Sequence, residues 1–111
     1  MPTPFAVVIT TCGGKDTAEQ IAARLVEERL AACVQMFPIA SIYRWEGAVQ
    51  QAEEWMLLSK IRAADYANVE AAIRAVHPYS NPEIIEIGIE KGAQAYLDWI
   101  VSVTGGAKGS S

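Results

Sequence analysis

The stretch AACVQMFPIASIYRWEGAVQQAEEWMLLSKI, residues 31–61, reads as two long β-strands joined by a minimal turn. Ala31 to Trp45 carries Val34, Phe37, Ile39, Ile42, Tyr43 and Trp45, side chains that suit a pleated, half-buried surface. Pro38 interrupts the run and predicts a bulge or bend. Glu46-Gly47 is a tight-turn signal, and Val49 to Ile61 returns as the second arm. The resulting hairpin is longer than a small sheet needs. Its overhang leaves backbone groups unpaired, and pairing with another subunit is a common remedy.

Phe5-Ala6-Val7-Val8-Ile9, upstream, is a short β-favouring run, followed by turn chemistry from Thr10 to Gly14. A helix begins near Asp16 or Thr17, either of which can cap it, with Glu19 and Gln20 in the first turn. Ala18, Ile21, Ala22, Leu25, Val26 and Leu30 recur at helical spacing, with Glu19, Arg24, Glu27 and Glu28 opposite. Downstream of the hairpin, Asp65 to Val76 reads as a second helix with Tyr66, Val69, Ile73 and Val76 on one face. Ile84 to Glu90 alternates, so Ile85, Ile87 and Ile89 share one face, expected to be buried. Gly92 ends that strand, and Ala93 to Val103 forms a third helix with Tyr96, Leu97, Ile100 and Val101 inward.

The order β-α-β-β-α-β with a closing helix predicts an α+β fold, the ferredoxin-like sandwich, as a single domain over residues 1–103. Residues 104–111, TGGAKGSS, are expected to be a disordered tail. Helices cover one face of such a sheet. The other face needs a cover, and in a chain of 111 residues that cover is expected to be another copy. A net charge of −4 with scattered basic residues argues against nucleic acid as a partner, and no apolar run is long enough to span a membrane. Cys12 and Cys33 form no CxxC pair. With no signal peptide ahead of Phe5, the expectation is free thiols in a reducing cytoplasm.

Chemistry-bearing residues concentrate in His77-Pro78-Tyr79-Ser80-Asn81-Pro82-Glu83, a stiff connection because prolines fix φ and bias the residues before them away from helix. His77 reads either as a cap on the terminal carbonyls of the second helix or as a metal ligand. Cys33 reads either as a small buried hydrophobe or as a soft ligand for a thiophilic ion such as copper. Cys12, in the turn after the first strand, is expected to be the more exposed thiol. Glu54 and Lys60 share a strand face with Met56 and Leu58, and are either solvated or part of a subunit interface. Tyr43, Trp45, Tyr79, Tyr96 and Trp99 fit a core or an interface. No phosphate loop, Ser-His-Asp elbow or paired-carboxylate motif is present, so no catalytic residue is assigned.

Five segments in order resemble the CutA divalent-cation tolerance family: Leu25 to Val34, Ser41 to Gly47, Glu54 to Lys60, His77-Pro78-Tyr79 with Pro82-Glu83-Ile84, and Tyr96 to Ile100. The sequence departs from the family pattern at Gly13, Gln35 and Ile61. The resemblance implies a ferredoxin-like protomer, PII-like in architecture, in a homotrimer whose long hairpins pair between subunits. It also implies a role in tolerance to copper and other divalent cations. Carried over by motif, Cys33, His77 and Glu83 are the metal candidates; Trp45, Glu54, Lys60, Tyr79 and Tyr96 are cleft or ligand-binding candidates. Copper or another divalent cation is the expected ligand, and no cofactor is required. The rival expectation is a PII-like signalling trimer that binds a small anion through Lys60, His77 and Tyr79.

Overall fold

The computed structural model describes residues 3–105. Strand β1 (Phe5–Cys12), helix α1 (Lys15–Glu27), strands β2 (Cys33–Trp45) and β3 (Ala48–Arg62), helix α2 (Tyr66–Val76), strand β4 (Ile84–Gly88) and helix α3 (Gln94–Val103) follow in the expected order. A 3-10 turn, Ala63–Asp65, precedes α2. The strands form one antiparallel sheet in the order β2-β3-β1-β4, the α+β ferredoxin-like arrangement. Glu46 and Gly47 both adopt positive φ, 52° and 81°, as a two-residue hairpin turn of the primed kind demands.

Period-two alternation sorts β3 cleanly. Leu57, Ser59 and Ile61 point toward the helices, and Glu54, Met56, Leu58 and Lys60 toward the open face. On the covered side, Ala18, Ile21, Ala22 and Leu25 of α1 and Val69, Ala72 and Ile73 of α2 pack with Ala6, Val8, Leu57 and Ile61. The cap of α1 is not Asp16 or Thr17. Gly14 takes that position with extended backbone, its carbonyl accepting the Ala18 N–H at 3.1 Å, and Asp16 instead lies in the first turn, where the helix dipole favours it.

Among the described residues, two hydroxyls, Thr10 Oγ1 and Ser59 Oγ, are buried in this layer with no hydrogen-bond partner. Thr10→Val removes one of them at nearly constant volume, so it is expected to stabilise the protein by about 1 kcal/mol, read by urea denaturation. A clear loss of stability would show that the hydroxyl is bonded.

Pro38 makes no bulge. The β2–β3 register runs without a slip from Cys33 opposite Lys60 to Trp45 opposite Ala48. The reason is position: β2 is an edge strand, with one side free of ladder partners, where a missing N–H is tolerated. β1 pairs with β3 only between Trp55 and Arg62, so among the described residues Ala48 to Glu54 have β2 as their sole ladder neighbour. That overhang is roughly 20 Å long at about 3.3 Å per residue.

The isoleucines of β4 alternate as expected but are not buried. Ile85 and Ile87 are 47% and 52% exposed, because they share the open face with Ile9 and Val7, opposite the helices. The expected tail also needs correction at its start. Thr104 is buried and donates from Oγ1 to the Ile100 carbonyl at 2.7 Å, and the Gly105 N–H bonds the Arg29 carbonyl at 2.9 Å. Gly105 has φ of 75°, and a Cβ there would overlap the Arg62 guanidinium. Residues 106–111 of that tail lie outside the described residues.

Candidate functional site

The candidate residues all border the open face of the sheet, but at two separate ends. At one end, Cys33 opens β2 directly across from Lys60 on β3. The Lys60 Nζ lies 3.9 Å from the Cys33 Sγ and donates to Gln35 Oε1 at 2.6 Å. Tyr96 reaches over from α3, its Oη 3.5 Å from the same sulfur. That hydrogen bond, followed by burial, pushes the Tyr96 phenol above its ordinary range. Gln35, a departure from the family pattern, is thus what holds the Lys60 ammonium in place.

At the other end, the proline-rich connection folds against β1 and β3. His77 is buried, with extended backbone at φ −78° and ψ 131°, as Pro78 dictates. Its Nε2 lies 2.7 Å from the Thr11 carbonyl oxygen, which can only accept, so Nε2 carries the proton. Its Nδ1 accepts the Tyr79 N–H at 3.2 Å. Both ring nitrogens are therefore occupied, in the neutral tautomer. The ring also packs on Tyr79 at 4.8 Å between centroids. The Tyr79 hydroxyl in turn lies 3.5 Å from the Glu54 carboxylate, and burial, then the Glu54 charge, raises the phenol above its usual range. Glu54, Tyr79, Glu83 and Trp45 line one groove of about 930 Å³, together with Tyr43 and Met56.

This geometry changes the reading of the expected metal set. Cys33 faces Lys60, whereas Glu54 marks the His77–Glu83 end, six residues along β3 or roughly 20 Å away. One protomer does not bring Cys33, His77 and Glu83 together, and among the described residues no three His, Cys, Asp or Glu side chains converge. His77 has no free lone pair to give a metal. Nor does its ring cap α2, since the carbonyl it satisfies belongs to β1. The structure makes it a positioning group that fixes Tyr79. Sequence reasoning named Tyr43 and Met56 without assigning them to the groove. Their two-residue spacing from Trp45 and Glu54 was the available signal.

The thiols exchange the expected roles. Cys12 is fully buried at the end of β1, its Sγ 3.5 Å from the Gly14 carbonyl, and burial pushes its pKa up; Cys33 is half-buried. Both are free. Because burial favours the protonated thiol, Cys12 contributes stability at neutral pH that fades only as pH rises through its raised pKa. A bulky thiol reagent at neutral pH is expected to label Cys33 alone in the native protein and both thiols after unfolding. Native labelling of Cys12 would contradict the packing.

The sequence profile described as "CutA1 divalent ion tolerance protein" matches residues 6–103. The chain is 43% identical over 100 residues to the divalent-cation tolerance protein CutA of Thermus thermophilus, covering 89% of this chain and 97% of that one. Among solved structures it is similar to a protein described as the periplasmic divalent cation tolerance protein CutA from Archaeoglobus fulgidus, with a TM-score of 0.88 and 39% identity over 89% of this chain and 97% of that one. It is also similar to CutA1 from the psychrotrophic bacterium Shewanella sp. SIB1, with a TM-score of 0.91 and 36% identity over 94% and 98% of the two chains.

Proposed function

Because the chain belongs to the CutA1 divalent ion tolerance family, we propose that it acts in the response to divalent metal ions as a cytoplasmic homotrimer. The observation that supports assembly is the open sheet face. Ile85, Ile87 and Phe37 stand exposed on that face in the single protomer, apolar surface that a neighbouring copy would cover. The overhanging hairpin offers unpaired strand edges for the neighbouring copies. The free thiols suit a reducing compartment.

Copper, on this reading, is bound weakly in clefts between subunits. Cys33 supplies the soft donor and Glu83 of the partner subunit a carboxylate, and His77 holds the cleft wall in shape without ligating. The role is binding rather than catalysis. Sedimentation equilibrium is expected to give a species of three chains of 12.0 kDa each. Copper titration of wild type against Cys33→Ser and Glu83→Gln tests the site: affinity should fall by about tenfold or more in each variant, on the order of 1.4 kcal/mol. Unchanged affinity in Cys33→Ser would remove the thiol from the site.

One observation favours a second reading, an anion-binding, PII-like role. The Lys60 ammonium has no carboxylate within ion-pair distance among the described residues, and is held only by neutral Gln35 and the Cys33 thiol. His77 and Tyr79, expected beside it, would have to come from another subunit. A thermal-shift screen of metals against nucleotides and small acids separates the two readings. Stabilisation by an anion, lost in Lys60→Met, would support this one.

A further inference from the structure

The groove at the His77–Glu83 end has a chemistry that suits neither a bare metal ion nor an anion. Tyr43, Trp45 and Tyr79 contribute aromatic rings, Met56 a thioether, and Glu54 and Glu83 two carboxylates, around about 930 Å³. Among the described residues, no lysine, arginine or histidine lines it. That volume lies in the range of small-molecule sites. An anion would meet two carboxylates with no compensating cation. A hard divalent ion would need about six or more oxygen donors, and aromatic walls cannot replace its hydration shell. An alkylated ammonium has the opposite requirements: it is weakly hydrated, is attracted to aromatic faces, and gains further from nearby carboxylates.

We propose that this groove is a binding site for a small organic ammonium ion, with Tyr43, Trp45 and Tyr79 as aromatic walls and Glu54 and Glu83 as counter-charges. The raised pKa of the Tyr79 phenol, to which the Glu54 charge contributes after burial, agrees with a negative potential there. The hydrogen bonds that the His77 ring donates to the Thr11 carbonyl and accepts from the Tyr79 N–H fix one wall in advance, so little ordering is left for the ligand to supply. The net charge of −4 adds attraction at long range. All these residues belong to one protomer, and only Glu83 is shared with the metal reading. The Cys33 thiol is roughly 20 Å away within the protomer, so Cys33→Ser tests copper alone, whereas Glu54→Gln and the two probes test this site alone.

The test uses tetramethylammonium against tert-butyl alcohol, a neutral probe of similar shape, titrated calorimetrically into the protein as it assembles in solution. Tetramethylammonium is expected to bind in the millimolar range, and the neutral probe about tenfold or more weakly. Glu54→Gln and Trp45→Leu should each reduce ammonium binding about tenfold, with sedimentation and the circular dichroism spectrum unchanged. Equal binding of the two probes to wild type overturns the proposal. So does a wild type that takes up no ammonium well above the millimolar range. Comparison of the probes on wild type decides the matter even where a variant folds poorly.

Discussion

Ile87→Glu is expected to convert the proposed trimer into folded monomers. In a single protomer residue 87 is half exposed, on the middle of β4 opposite Val7 and two positions from Ile85. A glutamate there meets water and changes the stability of the isolated fold by only about 0.5 kcal/mol. In the proposed assembly the open face is the interface, and the same carboxylate would be buried there without a partner. The effective penalty for an uncompensated buried ion is several kcal/mol, repeated in each subunit, and it adds to about 1.5–3 kcal/mol of lost isoleucine burial per chain. Sedimentation at micromolar concentration reads the result, and an unchanged far-UV spectrum shows that the protomer has kept its fold. Glu86→Gln, one residue away and on the other side of the strand, should leave the assembly intact. If Ile87→Glu remains trimeric, the open face of β4 is not where the subunits meet.

The same residue shows what the sequence can and cannot convey. The alternation of Ile85 and Ile87 with Glu86 and Gly88 is plain in the letters, and so is its consequence that one side of the strand is apolar. Which side receives the helices is not a property of that strand. It follows from how the two β-α-β crossovers wind, and both helices here lie opposite the isoleucines. The hairpin was more legible because its determinants are local: Glu46-Gly47 selects the turn, and the turn sets the register of thirteen paired positions. Pro38 and the cysteines were misjudged for a shared reason. A proline's cost depends on whether its strand lies at an edge, and a thiol's exposure on which neighbours cover it. Cys12 looks like part of a turn yet extends β1 under α1, whereas Cys33 opens β2 toward the uncovered face.

The candidate site was legible as a set of residues and illegible as a geometry. Cys33, Lys60 and Tyr96 do meet, and Glu54, Tyr79, Glu83 and Trp45 share a groove, but the two groups lie at opposite ends of one face. Period-two reasoning puts Glu54 and Lys60 on the same side of β3 without revealing that six residues of extended strand keep them apart. His77 is the sharpest case. A lone histidine in a rigid polar loop has the composition of a ligand, and only its partners show that both nitrogens are used within the fold.

His77→Ala is accordingly expected to cost about 2–4 kcal/mol in stability, and to alter the proposed copper binding mainly through the shape of the proposed cleft. The substitution strands the buried Thr11 carbonyl, which now receives the Nε2–H at 2.7 Å, and removes the acceptor of the Tyr79 N–H. An unsatisfied buried polar group alone costs about 1–3 kcal/mol, and the space left by the ring adds to it. Tyr79, freed from both the hydrogen bond and the ring contact, should lose its approach to Glu54. His77→Gln separates the two roles. A glutamine amide can still donate to the Thr11 carbonyl, so it should recover part of the lost stability. A ligating imidazole would behave differently: its removal would spare stability and abolish copper binding, and glutamine would restore neither. Urea denaturation and copper titration on the same three proteins decide between these patterns. Unchanged stability together with lost copper affinity would return His77 to the metal and overturn its role as the group that sets Tyr79.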